Sequence, residues 1–367
     1  MAFRRHVRLI SDSHAASRVP FLAIIRPMTL PEAIERVVER KSLREEEARS
    51  VMAQIMDGEA TPSQIAGLLV GLRMKGETPA ELTGFAREMR ARVTRVPHSR
   101  TNVVDTCGTG GDKVKTFNLS TGAAVVASAA GACIAKHGNR AFTSKCGSAD
   151  VLESLGVNLT LDAESAARVL DEIGLVFLFA PNYHPAMKYG AGPRKEMAIR
   201  TMFNLLGPLT NPAGAERQLI GVFAPTLTLK IAQVLKRLGC RRAVIAHGVL
   251  GLDEVSPVGT TQLAIVDGRN VEQRFVRASD FDVAEPNLDD ISAGASVQAN
   301  ADKLMEGLTK VESPEARSLI PGASIALWLG EVASDFRTGA QLAKEAIASG
   351  AARRKLEQLI ATTGGAT

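Results

Sequence analysis

The sequence predicts an α/β protein in which a small all-helical domain precedes a larger domain with a mainly parallel central sheet. Three observations predict it. Residues 31–94 carry helical apolar spacing and three helix-start signatures. From about residue 100, short β-branched runs alternate with helical segments, the pattern of a parallel sheet covered by helices. The chain has 367 residues, more than one compact core usually serves.

In the helical part, Ser42-Leu43-Arg44-Glu45, Thr61-Pro62-Ser63-Gln64 and Thr78-Pro79-Ala80-Glu81 read as capping boxes. In each, a hydroxyl takes the N3 amide and the N3 side chain returns to the N–H of the cap. Pro62 and Pro79 take first helical positions, where no N–H is needed. Gly76 is placed to stop the helix that Thr61 starts. Ile65, Leu68, Leu69 and Leu72 form one buried stripe. The helical domain is expected over 27–98 and the α/β domain over 99–367. Residues 1–26 hold five Arg and one acidic residue. They fit a transit peptide or an unstructured tail lying outside the fold, and the tail is the preferred reading.

In the α/β part the strands are expected at NVVDT, ACIAKHG, LVFLFAP, QLIGVFAP and RAVIAHG, with helices at 120–130 and 226–238. The segment 181–212, PNYHPAMKYGAGPRKEMAIRTMFNLLGPLTNP, interrupts this alternation. Its helices, at about 181–210, are expected to fold back onto the helical domain and wall a cleft. Parallel sheets bind ligands beyond the carboxyl ends of their strands. The loops 106–118, 136–148 and 247–254 all fall at such ends.

The first of these loops lies in DTCGTGGDKVKTFNLSTGAAVVASAAG, 105–131. A dinucleotide fingerprint fits Gly108 and Gly110 but meets Lys113 where its third glycine belongs. A Walker loop counted from Gly108 meets the same lysine. What remains is a glycine turn whose backbone can approach a large anion. Asn118, Ser120 and Thr121 then open a helix, a second anion site. Two such sites about a dozen residues apart suit a ligand with two phosphate groups. In KHGNRAFTSKCGSADVLESLG, Lys136 offers a point charge, Arg140 a fork suited to phosphate, and Ser148 a helix cap. In GLDE, Asp253 and Glu254 are hard oxygen donors of the kind that hold Mg²⁺ beside a phosphate. Arg194 and Arg200 stand where a guanidinium could clamp a substrate carboxylate. His137 reads as a structural histidine, because no Ser or Cys partner accompanies it.

Composition narrows the classes. Hydrophobic residues are 45 % and charged residues 23 %, and no apolar run nears the roughly 20 residues that cross a bilayer. Aromatics are 4 %, too few for base-stacking platforms, and the net charge of +5 is dispersed. Neither a nucleic-acid nor a membrane partner is expected. The four cysteines form no C-x-x-C pair, which fits reduced thiols in the cytoplasm.

GTGGD, N-x-S-T, K-H-G-N-R, G-S-A-D-V-L-E, H-P-A-M, R-K-E, F-N-L-L-G-P-L-T-N-P and G-L-D-E follow one another in this order. The set resembles the anthranilate phosphoribosyltransferase family, from about residue 30 to the C-terminus. The resemblance implies a nucleoside phosphorylase-type α/β fold and a homodimer. It implies Mg-dependent transfer of a phosphoribosyl group from phosphoribosyl pyrophosphate (PRPP) to anthranilate, in tryptophan biosynthesis. It further implies that Gly108, Gly111, Asp112, Thr116, Asn118, Ser120, Thr121, Lys136, Asn139, Arg140, Ser144 and Ser148 bind PRPP. Gly108, Asn139 and Arg194 would bind anthranilate, and Ser120, Asp253 and Glu254 would ligate Mg²⁺. His137 and His184 would lie near the acceptor with no proton-transfer role assigned. Cys146 stands where the family also shows Ser, and LIPGASIALWLG, 319–330, is only loosely like the family's helix. The alternatives are a pyrimidine nucleoside phosphorylase, or a nucleic-acid-binding relative of the same fold.

Overall fold

The computed structural model of the protein describes residues 28–111, 114–140 and 146–364. Asp112, Lys113 and Ser144 lie outside the described residues, as do residues 1–27. Four helices come first: α1 (Leu30–Val38), α2 (Glu45–Met56), α3 (Pro62–Lys75) and α4 (Pro79–Arg92). Two of the three capping boxes form as read. Thr61 Oγ1 accepts from Gln64 N at 3.3 Å and Gln64 Oε1 accepts from Thr61 N at 3.0 Å. Thr78 and Glu81 repeat the exchange at 3.2 and 2.7 Å.

The third box is corrected. The cap of α2 is Arg44, and Glu47 rather than Glu45 turns back, accepting from Arg44 N at 2.7 Å. Leu43 explains the shift. It is buried in the helical core, and its N–H is claimed by the buried Glu81 Oε1 at 2.9 Å. That bond anchors the approach to the helix, Arg44 is still extended with ψ of 160°, and α2 begins at Glu45. Gly76 ends α3 as expected, with φ +84°. Ile65, Leu68, Leu69 and Leu72 are all buried.

The sheet has seven strands: β1 (Val104–Gly108), β2 (Ile134–Gly138), β3 (Leu175–Phe179), β4 (Arg217–Gly221), β5 (Arg242–Gly248), β6 (Thr260–Asp267) and β7 (Asn270–Arg277). Their order is β3-β2-β1-β4-β5-β6-β7. The first five are parallel, and β6 and β7 add an antiparallel hairpin. Helices α5 (Leu119–Ala129), α6 (Ser148–Ser154) and α7 (Ala163–Ile173) connect the first strands. Then come α8 (Ala180–Tyr183), α9 (Lys188–Met197), α10 (Phe203–Leu206) and α11 (Thr226–Arg237). The chain closes with α12 (Val297–Thr309), α13 (Pro314–Leu329), α14 (Phe336–Ala348) and α15 (Ala351–Thr362).

Two apolar cores flank the sheet. One packs α5 and α12 to α15 on one face, with α13, which contains most of LIPGASIALWLG, between α5 and α14. The other runs from α1–α4 through Met202, Phe203, Leu205, Leu206 and Leu209 to α11 and the opposite face. In the 181–212 segment, α9 packs on α2 and α3 while α10 packs on α4. The helical domain is thereby tied to the side of the sheet that carries the site.

Candidate active site

The strand order reverses around β1. Its chain neighbours β2 and β3 lie on one side, β4 and β5 on the other. Beyond the carboxyl ends of β1 and β4 the outgoing loops part, which opens a crevice. The last residues of these strands, Gly108 and Gly221, are register partners. The turn of Asp253 crosses directly over them. A Cβ on Gly221 would lie 1.6 Å from Asp253 O, and one on Gly108 2.8 Å from Asp253 Oδ2. Gly221 must be glycine for the acidic turn to sit in the crevice, and a methyl group on Gly108 would push the Asp253 carboxylate aside. Asp253 is 8 % exposed there.

The neighbouring groups converge on the start of α5. Glu254 Oε1 accepts from Ser120 N at 3.2 Å, where the helix dipole favours a negative charge. Lys136 rises from β2 and donates to Thr106 O and to Ser120 Oγ. Burial pulls its ammonium below the usual lysine range, and Cys107, Asp105, Glu254 and Asp253 oppose that pull. Thr121 is 1 % exposed, and its hydroxyl has no hydrogen-bond partner. An orphaned buried hydroxyl beside a helix N-terminus and a lysine is an acceptor's complement. Asn118 is the cap residue of α5. Thr116 bridges to Ser292, and Phe117 N donates to Ile291 O at 3.1 Å, which anchors the approach to the helix.

Gly110 and Gly111 have φ of +67° and +86°, so the turn needs its glycines. Asn139 is exposed just after β2, and its Oδ1 accepts from Arg140 N at 2.8 Å. Arg140 forks onto Glu153 at 2.7 and 2.8 Å and reaches Asp150 at 3.0 Å, with its guanidinium 5.5 Å from the Phe179 ring centre. The cap at Ser148 is corrected. Gly147 is the cap of α6, Ser148 is the first helical residue, and Gly147 N donates to Asp150 Oδ2 at 2.8 Å. Asp150 at the third position makes that return bond, which a cap at Ser148 would forfeit.

Arg194 lies on α9 with its guanidinium 5.1 Å from the centre of the Phe203 ring. It is mostly buried, and burial pulls it below the usual arginine range. His137 and His184 are in contact, with ring centroids 5.1 Å apart and planes tilted by 40°. Burial drives His137 down to about 3, helped by His184, and His184 down to about 4. Both rings are neutral near pH 7. Gly221 and Asp105 escaped the sequence reading. Gly221 carries a signal only once the sheet order is known. Asp105 is fully buried, and its Oδ1 accepts from His137 N at 3.0 Å. Burial raises its carboxyl.

Among the described residues no group of three or more His, Cys, Asp or Glu converges as a metal site. Asp253 and Glu254 suit an ion that completes its shell with water and ligand oxygens, as Mg²⁺ does. All four cysteines are thiols outside any disulfide.

Residues 31–93 match the model of the glycosyl transferase family helical bundle domain, and 100–353 match that of the glycosyl transferase family a/b domain. A curated anthranilate phosphoribosyltransferase of Desulforamulus reducens is 46 % identical over 331 residues, covering 90 % of this chain and 96 % of that protein. This chain belongs to the anthranilate phosphoribosyltransferase family. The crystal structure of the Thermus thermophilus anthranilate phosphoribosyltransferase superposes with a TM-score of 0.84 at 38 % identity, covering 90 % of this chain and 99 % of that one. The Saccharomyces cerevisiae anthranilate phosphoribosyltransferase, solved in complex with PRPP and Mg, gives 0.82 at 25 % identity, covering 91 % and 98 %. Membership makes the chain a transferase, and favours neither the nucleoside phosphorylase nor the nucleic-acid reading.

Proposed function

We propose that the chain transfers the 5-phosphoribosyl group of PRPP to the amine of anthranilate, giving N-(5-phosphoribosyl)anthranilate and pyrophosphate in the second step of tryptophan biosynthesis. The observation that carries the reading is the Asp253–Glu254 turn, seated over Gly108 and Gly221 beside the start of α5 and Lys136. That arrangement sets a hard-oxygen pair against an anion cradle, as a metal-chelated diphosphate requires.

In this reading Gly108, Gly111, Thr116, Asn118, Ser120, Thr121 and Lys136 hold PRPP, with Asn139, Arg140 and Ser148 at the rim of the site. Asp112 and Ser144 are assigned to the same ligand from the family motif. The Thr121 hydroxyl, buried without a partner, gains one when a phosphate oxygen arrives. Arg194 faces the carboxylate of anthranilate, with Gly108 and Asn139 on the same substrate. Stacking on Phe203 fixes the plane of its guanidinium fork in advance. Ser120, Asp253 and Glu254 hold Mg²⁺, which when bound would stabilise the charge that develops on departing pyrophosphate.

The amine nitrogen bonds to C1 of the ribose as the C1–oxygen bond to pyrophosphate breaks. The ribose passes through an oxocarbenium-like state, as in glycosyl transfer generally. Lys136 and the α5 N-terminus supply fixed positive charge toward the leaving anion. An aryl amine is already neutral at pH 7, so no strong base is needed, and burial makes His137 and His184 weak proton acceptors. The nitrogen, cationic once it bonds to C1 with both its hydrogens, releases one proton to water and leaves the neutral secondary amine.

Pairing of two copies is part of the proposal. Val38, Val70 and Met74 are 67 %, 37 % and 70 % exposed. They share the α1–α3 surface, where a Cβ on Gly71 would lie 2.7 Å from Val37 and 4.0 Å from Val38. An apolar patch on the helical domain supports a homodimer through that face. No described helix is long and apolar enough to cross a membrane. A cytoplasmic site of action is proposed from the four thiols.

Product analysis tests the reading. One pyrophosphate and one phosphoribosylated anthranilate should appear per turnover. Phosphate-dependent cleavage of thymidine, with anthranilate untouched, would replace it with the phosphorylase reading.

A further inference from the structure

Arg200 was a candidate carboxylate clamp in the sequence, and the arrangement above leaves it without that work. Its guanidinium donates to the carbonyl of Gly111 and lies 4.7 Å from the centre of the Phe223 ring. A Cβ on Gly111 would come within 2.6 Å of Arg200 Cζ, so the two groups are in direct contact. Phe223 is itself tied to the glycine turn. Its N–H donates to Thr109 Oγ1 at 3.3 Å, while Thr109 N donates to Gly221 O at 2.9 Å. The turn is thus held at Thr109 by the exit of β4, and at Gly111 by Arg200 resting on the same phenylalanine.

The other end of Arg200 reaches the helical domain. Its own carbonyl accepts from Arg73 Nη1 of α3 at 2.8 Å. The chain arrives at Arg200 through Ala198, which caps α9 in the left-handed region at φ +51°. An alanine held there is strained, and such strain persists where the surroundings demand one chain direction. Turning at Ala198 is what takes the backbone from Arg194, within α9 and against Phe203, to Arg200, on the glycine turn.

We infer that Arg200 is a positioning residue for the PRPP site: it fixes the Gly110–Gly111 turn in its anion-receiving shape and ties that shape to the helical domain through Arg73. Arg194 and Arg200 then divide the work on one segment, the first facing the acceptor and the second the diphosphate loop. The inference rests on the proposed PRPP site.

The test is PRPP–Mg²⁺ binding by calorimetry and steady-state kinetics on the wild type, Arg200→Ala, Arg200→Lys and Phe223→Leu. Loss of a charge-assisted hydrogen bond and of the stacked plate should weaken PRPP binding about tenfold or more in Arg200→Ala. KM for anthranilate should stay within about twofold, since the acceptor groups are untouched. Arg200→Lys should recover part of the loss, Phe223→Leu should lose PRPP affinity in the same direction, and added guanidinium ion should improve PRPP binding by Arg200→Ala. A merely structural role gives no such rescue. A rise in anthranilate KM with unchanged PRPP affinity would make Arg200 an acceptor residue and overturn the inference. Unchanged PRPP affinity in both Arg200→Ala and Phe223→Leu, with the wild type binding PRPP, would refute it while leaving the proposed function standing. Failure of the wild type itself to bind PRPP would instead undo the underlying reading. If Arg200→Ala does not fold, the lysine and leucine variants carry the same comparison.

Discussion

Acidification should destabilise this protein through two particular rings. His137 and His184 are 6 % and 8 % exposed, in mutual contact, with folded pKa values of about 3 and about 4 against 6.5 when unfolded. The unfolded chain therefore binds protons that the folded chain refuses, and stability must fall as pH falls. The loss begins near pH 6.5 and continues down to the folded values. At pH 5.5 each ring costs about 1.4 kcal/mol, or about 3 kcal/mol together, against a typical total of about 5–15 kcal/mol. Asp105, with its carboxyl raised by burial, works in the opposite sense, and the Lys136 charge acts on both Asp105 and His137. The comparison must therefore isolate the rings. Urea midpoints should be measured from pH 7.5 to 5 for the wild type and for His137→Asn with His184→Gln. The wild type should lose stability steeply below pH 6.5, and the double variant should show a clearly shallower slope. Equal slopes would refute the claim that these rings are held neutral by burial.

Other outcomes follow from the site. Arg194→Ala should raise KM for anthranilate about tenfold or more with PRPP binding little changed, read by steady-state kinetics in each substrate; equal loss of both would undo that assignment. Asp253→Asn with Glu254→Gln should shift the Mg²⁺ activation curve to higher concentration, and an unmoved curve would place the metal elsewhere. Gly221→Ala puts a methyl group where Asp253 O stands, so it should cost about 1–3 kcal/mol in thermal unfolding and displace the acidic turn, weakening PRPP–Mg²⁺ binding.

Much of this was legible in the sequence because the signals are local. Thr61–Gln64 and Thr78–Glu81 cap where their spacing says, and the five parallel strands fall on the runs read for them. The clustering of loops at strand ends follows from one rule about parallel sheets. What escaped depends on tertiary partners. The cap of α2 is set by Leu43 and the distant Glu81, not by the Ser42 hydroxyl. The cap of α6 is a glycine whose partner is Asp150. The β6–β7 hairpin turns on Gly268-Arg269, with Gly268 at φ +59°, a two-residue turn that the alternating βα pattern overshadowed. Gly221 looks like any strand-end glycine until β4 is placed beside β1. The contact of Arg200 with Gly111 was hidden because a sequence shows that two arginines share a segment, not that Ala198 turns the chain between them.

The most direct test of the central claim is the fate of anthranilate fluorescence when purified protein, PRPP and Mg²⁺ are mixed with it. The fluorescence should fall only when the protein, PRPP and Mg²⁺ are all present. No loss, in a preparation that still binds PRPP, would contradict it and show that the pocket beside Arg194 takes another acceptor.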